Sequence, residues 1–310
     1  SDASAGEMRP PIDSVLLSRH HALLVAAATA ASVAGPRAAV GGPPLSLKAR
    51  LDAQDTRLLT KPQGMAAPAE AVYPSWLDGE WRASVSFAGY ELPAKDLIPR
   101  NELFAEAKVP GFQKLSVALL PDIGKSLGES GPANFPMRWF KDANGLVRED
   151  REANFRSAVK GGLGYDAIER VDYKVDPNNP FGLGSNTGNP NRLKLVFAPG
   201  LTPNAERIEL FINARETEQP EGRDDLFYMS ESMRQVTFSA GQSRQINYEY
   251  AHFFSFRRLS DTRVQGVIIT AAYADPLQLE RFFVKVGGNR PLIVFSHGLT
   301  LTKDDAPPTS

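Results

Sequence analysis

The chain contains no cysteine. Disulfides, thiolate zinc sites, cysteine-ligated iron–sulfur clusters and a catalytic thiol are therefore excluded. Histidine is nearly as scarce, with His20, His21, His252 and His297 the full complement. Charge of one sign is missing too: 35 basic side chains face 36 acidic ones in 310 residues. That balance gives no general attraction to nucleic acid or to an anionic membrane. No Gly-x-Ser-x-Gly elbow occurs, and the nearest stretch, Ser239 to Ser243, has the wrong spacing. A catalytic zinc wants three protein ligands, and two histidines beyond the N-terminal region do not supply them. No metal and no cofactor is expected.

The N-terminal region is a separate object. Between Asp13 and Asp52 lie 38 residues without an acidic side chain. Within them, Ser18-Arg19-His20-His21 precedes Ala22 to Gly35, a run of 14 small or apolar residues. That run is about 4–6 residues too short to span a bilayer. Its layout is that of a secretory-type signal: a basic flank, an apolar stretch and a small-residue site such as Ser32-Val33-Ala34. The signal stands behind another segment, which is the arrangement of a two-stage address, an organelle transit piece followed by a thylakoid signal. The expected organisation is a transit and signal segment over 1–42, a leader or linker over 43–72, a β domain over 73–303 and a polar tail over 304–310. A short amphipathic helix between Leu45 and Leu59 would present Leu47, Leu51, Leu58 and Leu59.

The body alternates with period two between Gly, Pro, Asn and Asp breaks. Trp81, Ala83, Val85 and Phe87 share one face, as do Ile208, Leu210 and Ile212. The clearest run puts Ile246, Tyr248, Tyr250, His252, Phe254 and Phe256 together. Leu292 to Thr302 aligns Ile293, Phe295, His297, Leu299 and Leu301. Further strand candidates are 114–119, 137–142, 146–150, 153–160, 167–175, 192–198, 226–238 and 262–273. A short helix is expected over 277–285. No helical pattern separates the strands, so parallel βαβ units are not expected. The reading is all-β: an antiparallel barrel with long loops and at most one or two short helices.

Tyr73-Pro74-Ser75-Trp76-Leu77-Asp78-Gly79-Glu80-Trp81 opens this body. Its Gly79-x-Trp81 resembles the opening motif of the lipocalin and calycin barrels. The longer Tyr-Pro-x-Trp-x-x-Gly-x-Trp, with Val109-Pro110-Gly111-Phe112 and Phe256-Arg257-Arg258-Leu259-Ser260, is similar to an uncharacterised family of cyanobacterial and plastid proteins that carry thylakoid-lumen signals. The resemblance implies a lipocalin-like barrel and a chloroplast thylakoid-lumen address. It also implies a structural trio: Gly79, Trp81 closing one end, and an arginine stacked on it, from among Arg257, Arg258 and Arg281, with Arg257 carried forward.

The candidate ligand-binding residues are Tyr248, Tyr250, His252, Phe254 and His297, all on apolar strand faces. They point to a non-catalytic protein that binds a small apolar ligand (pigment, lipid or quinone) in its barrel. A second reading is an accessory or assembly factor of a photosystem or another thylakoid complex, with loops 176–191 and 214–226 as contact surfaces. A third is an isomerase or cyclase using the barrel pocket. No nucleic-acid partner is expected. The glycines of Phe181 to Gly188 precede no helix and read as a hairpin loop, and Glu149-Asp150-Arg151-Glu152 reads as a charged turn.

Overall fold

The computed structural model describes residues 45–62, 67–120, 132–174, 189–202, 205–239 and 245–303. The signal-like stretch 18–35, the glycine-rich stretch 181–188, most of loop 176–191 and the tail lie outside the described residues.

From Leu47 onward the chain forms one compact unit. Its strands are β1 Gly79–Glu91, β2 Ala133–Lys141, β3 Val147–Glu149, β4 Ile168–Tyr173, β5 Arg192–Phe197, β6 Arg207–Glu218, β7 Leu226–Phe238, β8 Gln245–Ser260, β9 Arg263–Tyr273 and β10 Ile293–Thr302. They build a single antiparallel sheet in the order β3-β2-β1-β10-β9-β8-β7-β6-β5-β4. The sheet curls around one apolar core to which every strand from β1 to β10 contributes. The fold is all-β and antiparallel, in the manner of a lipocalin-like barrel.

The strand order makes the first and last strands, β1 and β10, neighbours. The two edges, β3 and β4, are consecutive in sequence. Between them the helix α3 (Arg151–Leu163) packs along the seam. It occupies the stretch 153–160 that alternation assigned to a strand. Asp150 caps it by accepting from the Ala153 N–H, and Phe155, Ala158 and Val159 recur at helical spacing on its buried side. Three residues of β3 leave most of β2 unpaired on that side. Asn154 answers this: its Oδ1 accepts from the Arg138 N–H at 2.7 Å and its Nδ2 donates to the Arg138 carbonyl at 3.1 Å. A side-chain amide thus stands in for a strand at an open edge.

The second departure is the stretch 114–119, also expected as a strand. After the helix α2 (Arg100–Phe104), residues 105–120 run as turns into the core, burying Val109, Leu115, Val117 and Ala118. Gln235 on β7 holds them. Its Oε1 accepts from the Ala118 N–H (3.1 Å) and the Tyr250 hydroxyl (2.9 Å), and its Nε2 donates to the Leu115 carbonyl (2.6 Å). Gly111 in this plug has φ +102°. A Cβ there would lie 2.3 Å from the Phe295 ring, so only glycine fits.

The outer face of the sheet is covered as well. The helix α1 (Leu47–Asp52) and the 3-10 turn Thr56–Leu58 cross it and bury Leu47 and Leu59 against Tyr228, Ala251, Phe253, Ala271, Tyr273 and Val294. The Tyr273 hydroxyl donates to the Leu59 carbonyl at 2.6 Å, and Arg50 pairs with Glu216. Residues 47–62 are therefore a packed strap, within the segment expected as leader or linker. The short helix α4 (Glu280–Val286) falls within the expected stretch 277–285, one residue longer at its end.

Candidate functional site

Interior side chains of β6 to β9 form a polar row that ends against Phe295 of β10. Register aligns Arg215 with Glu231, Glu231 with His252, His252 with Thr270 and Thr270 with Phe295. Glu231 lies between Met229 and Met233 on the inward face of β7, where an apolar side chain would be the default. Arg215 reaches the interior through a bulge at Asn213. Before it, Ile208, Leu210 and Ile212 face the core. After it, register passes from Ile212 opposite Met233 to Arg215 opposite Glu231. Had alternation run unbroken through Asn213, Glu216 would point inward and Arg215 outward.

Arg151, the first residue of α3, completes the cluster. Its Nη2 lies 2.5 Å from Glu231 Oε1, and its Nε lies 3.4 Å from Glu149 Oε2. Arg215 Nε donates to the same Glu231 oxygen at 2.5 Å. The Tyr73 hydroxyl donates to Glu149 at 3.0 Å. Burial pushes the Glu231 carboxyl up, but the guanidiniums of Arg151 and Arg215 outweigh it and hold it below the usual carboxylate range. Burial likewise acts to lower Arg151, yet Glu231 and Glu149 hold it well above its ordinary value.

Against this cluster lies a partly enclosed cavity of about 30 Å³. That is room for roughly two or three water molecules. Glu149, Arg151 and Glu231 form its polar side. Met137, Met229 and Met233 with Phe155, Phe254, Phe256 and Trp139 form most of the rest. A wall with three methionines yields easily, because the thioether side chain is unbranched and has three rotatable bonds. The volume is far below the roughly 300–1,000 Å³ of ligand pockets, so the cavity as folded admits one end of a molecule rather than a whole pigment.

Of the expected ligand-binding residues, Phe254 lines this cavity. Tyr248, Tyr250, His252 and His297 face the same interior but are engaged elsewhere. Tyr250 binds Gln235, and the Tyr248 hydroxyl reaches Gln113 at 3.4 Å. His252 is fully buried, with Nδ1 2.9 Å from the Thr270 hydroxyl, and burial drives its imidazole down to about 4. His297 packs edge-on to Phe87, and burial followed by the charge of His252 takes it to about 3. Both rings are neutral at neutral pH.

The trio at the barrel end is corrected in one member. Gly79 opens β1 with φ +112°, and Trp81 is buried with its indole donating to the Leu77 carbonyl at 2.8 Å. The cation over Trp81 is Lys303, 4.6 Å from the ring centroid and bound to the Asp78 carbonyl. Arg257 lies 3.8 Å from Asp225, Arg258 pairs with Asp261, and Arg281 reaches Glu106. Lys303 follows directly on β10, which pairs with β1, and this brings it over the tryptophan.

Sequence reasoning missed Glu231, Arg215, Arg151 and the role of Glu149. A signal for the first was present: Met229-Ser230-Glu231-Ser232-Met233 sets a carboxylate between two methionines at period two. Nothing comparable marks Arg215, whose aim depends on the bulge. The supposed charged turn at 149–152 is the end of β3 and the start of α3, with Glu149 and Arg151 directed inward.

A family model described as a domain of unknown function, DUF6816, matches residues 65–304. The chain belongs to the DUF6816 family. The matched span takes in all ten strands, α3, the plug and the cavity, while the strap 47–62 lies outside it. No curated protein and no solved structure matches the chain. Among the described residues, no group of three metal-ligating side chains comes together and no helix is long and apolar enough to cross a membrane.

Proposed function

We propose that this DUF6816 protein is a non-catalytic binding protein of the thylakoid lumen that takes one end of a small, mostly apolar ligand into its curled sheet. The observation that carries the reading is the cavity: a pliable methionine and aromatic wall facing a fixed Arg151–Glu231–Arg215 cluster. The address rests on the signal-like stretch before Gly35 and on the Tyr73 to Trp81 motif. Calorimetric titration of the full chain with 2-methyl-1,4-naphthoquinone, palmitate and β-ionone tests the binding. We expect heat and a raised melting temperature with at least one of them, and loss of both in Met229→Trp, which fills the cavity. Absence of binding to all three overturns the reading. Import of the radiolabelled chain into isolated chloroplasts, followed by fractionation, tests the address; recovery in the stroma overturns it.

A second reading, an accessory protein of a photosynthetic membrane complex, is supported by Leu277 and Val284. These are 83% and 78% exposed, on and just before α4. Co-purification with a photosystem that Leu277→Ser/Val284→Ser abolishes would support it, and an unchanged free monomer on native gels would end it.

A further inference from the structure

The chain has three tryptophans. Two of their indole N–H groups have acceptors: Trp76 donates to the Asp224 carbonyl and Trp81 to the Leu77 carbonyl, each at 2.8 Å. The third does not. Trp139 on β2 is 1% exposed, and its Nε1 has no hydrogen-bond partner among the described residues. Buried donors are almost always paired, and an orphan costs its full desolvation penalty. Trp139 lines the cavity. It packs edge-on to Tyr73 and Phe256, which line the same space, so its ring is held in place.

The charged side of the cavity says what kind of molecule supplies the missing acceptor. Two carboxylates, Glu149 and Glu231, meet two guanidiniums, Arg151 and Arg215. Both arginines donate to one oxygen of Glu231, and Arg215, whose Nη1 is tied to the Ala69 carbonyl and whose Nη2 has no partner among the described residues, lies behind Glu231 and does not line the cavity. The cluster holds no excess charge of either sign. An anion entering the cavity meets Glu149 and Glu231, a cation meets Arg151, and either loses its hydration without gaining a free counter-charge. The remaining wall is methionine and phenylalanine and favours an apolar body. The small volume restricts what enters to a leading end of a few atoms.

Resting on the binding reading above, we infer that the cavity takes a neutral, mostly apolar molecule that leads with a carbonyl oxygen, which accepts the Trp139 indole N–H. Quinones, terpenoid ketones and esters share this chemistry; fatty-acid anions and plain hydrocarbons lack it.

The test uses the full chain with indole nitrogen-15 labelling and three probes on the same ring frame. These are 2-methyl-1,4-naphthoquinone, 2-methylnaphthalene and 2-naphthoate. The absence of cysteine means that no thiol can capture the quinone. We expect the quinone to bind about tenfold more tightly than the hydrocarbon, as one neutral hydrogen bond provides. The naphthoate should bind weakest. One of the three indole cross-peaks, that of Trp139, should move downfield with the quinone and not with the hydrocarbon. That readout comes from the wild-type chain and does not depend on a variant folding. In Trp139→Phe the quinone advantage should vanish while hydrocarbon affinity stays the same, which also reports that the variant is folded. Equal affinities in the wild type, tightest binding of the naphthoate, or an advantage that survives Trp139→Phe overturns the inference and leaves the binding reading standing. Failure of all three probes overturns the inference, and failure of palmitate and β-ionone as well overturns the binding reading.

Discussion

The inner face of β7 to β10 is buried, and so is the part of the outer face under the strap, but the two are buried differently. On β8, Tyr250, His252 and Phe254 point inward while Ala251 and Phe253 point outward. The outward set is closed by a strap from the same chain, through leucine contacts and one tyrosine hydroxyl, with the ion pairs Arg50–Glu216 and Lys61–Glu249 at its rim. The inward set is closed by a row of polar side chains, a plug and a seam helix. An apolar face needs only a cover of the right area, because the hydrophobic effect has no direction. A face with Glu231 and His252 in it needs partners at specified places, since each buried polar atom left unpaired carries its own penalty. On the inner face a small space persists beside the ion cluster.

The largest expected effect breaks the inner face. Glu231→Ala leaves two buried guanidiniums without their shared carboxylate, and should cost about 3–5 kcal/mol in urea denaturation. A triple change that also makes Arg151 and Arg215 apolar should recover much of that loss. Next comes the outer face. Leu59→Ala should cost about 2–3 kcal/mol and raise amide exchange around Phe253 and Tyr273. Ligand affinity in the cavity should not change, and a change there would mean the two faces are coupled.

Acid separates the faces without mutation. Both interior histidines are depressed when folded, so the unfolded chain takes up protons first as pH falls. Their stabilisation is complete above about pH 6.5 and is lost as pH falls toward about 4 for His252 and about 3 for His297. Each should contribute a slope of about 1.4 kcal/mol per pH unit within that window. Glu231 and Arg151 are the charges facing His252. In His252→Gln the slope between pH 6 and 5 should fall by about half, read from melting curves across pH. The smallest effect concerns neither face. Lys303→Met should cost about 0.5–1 kcal/mol through the lost contact with Trp81, and Lys303→Arg should restore most of it.

Much of the fold was legible because a half-buried strand declares itself by period two. The strands expected from 81–87, 207–213, 226–238, 245–256, 262–273 and 292–302 are present, several extended by a few residues. The failures have physical causes. The stretch 153–160 alternates on paper, but Asp150 is an N-cap and Phe155, Ala158 and Val159 form a helical face. The stretch 114–119 is apolar because it is swallowed by the core, which needs no regular structure once Gln235 satisfies its backbone. The candidate site was half legible. The inward face of β8 was assigned correctly, whereas Glu231 lay on β7, whose interior residues had not been singled out, and Arg215 lay beyond the bulge that interrupts the alternation of β6.

What the sequence by itself determined is the type of molecule: antiparallel strands rather than parallel βαβ units, a balanced charge, no thiol, and two body histidines that alternate onto apolar faces. Local periodicity and composition are properties of neighbouring residues, so they can be read without a fold. What the tertiary structure decided is where distant groups meet. One extra residue at Asn213 turns Arg215 inward, the seam between β3 and β4 makes room for α3 and so places Arg151, and Lys303 reaches Trp81 because β10 returns beside β1. Each of these depends on register between strands far apart in the chain, and register is set only when the whole sheet has closed around its core.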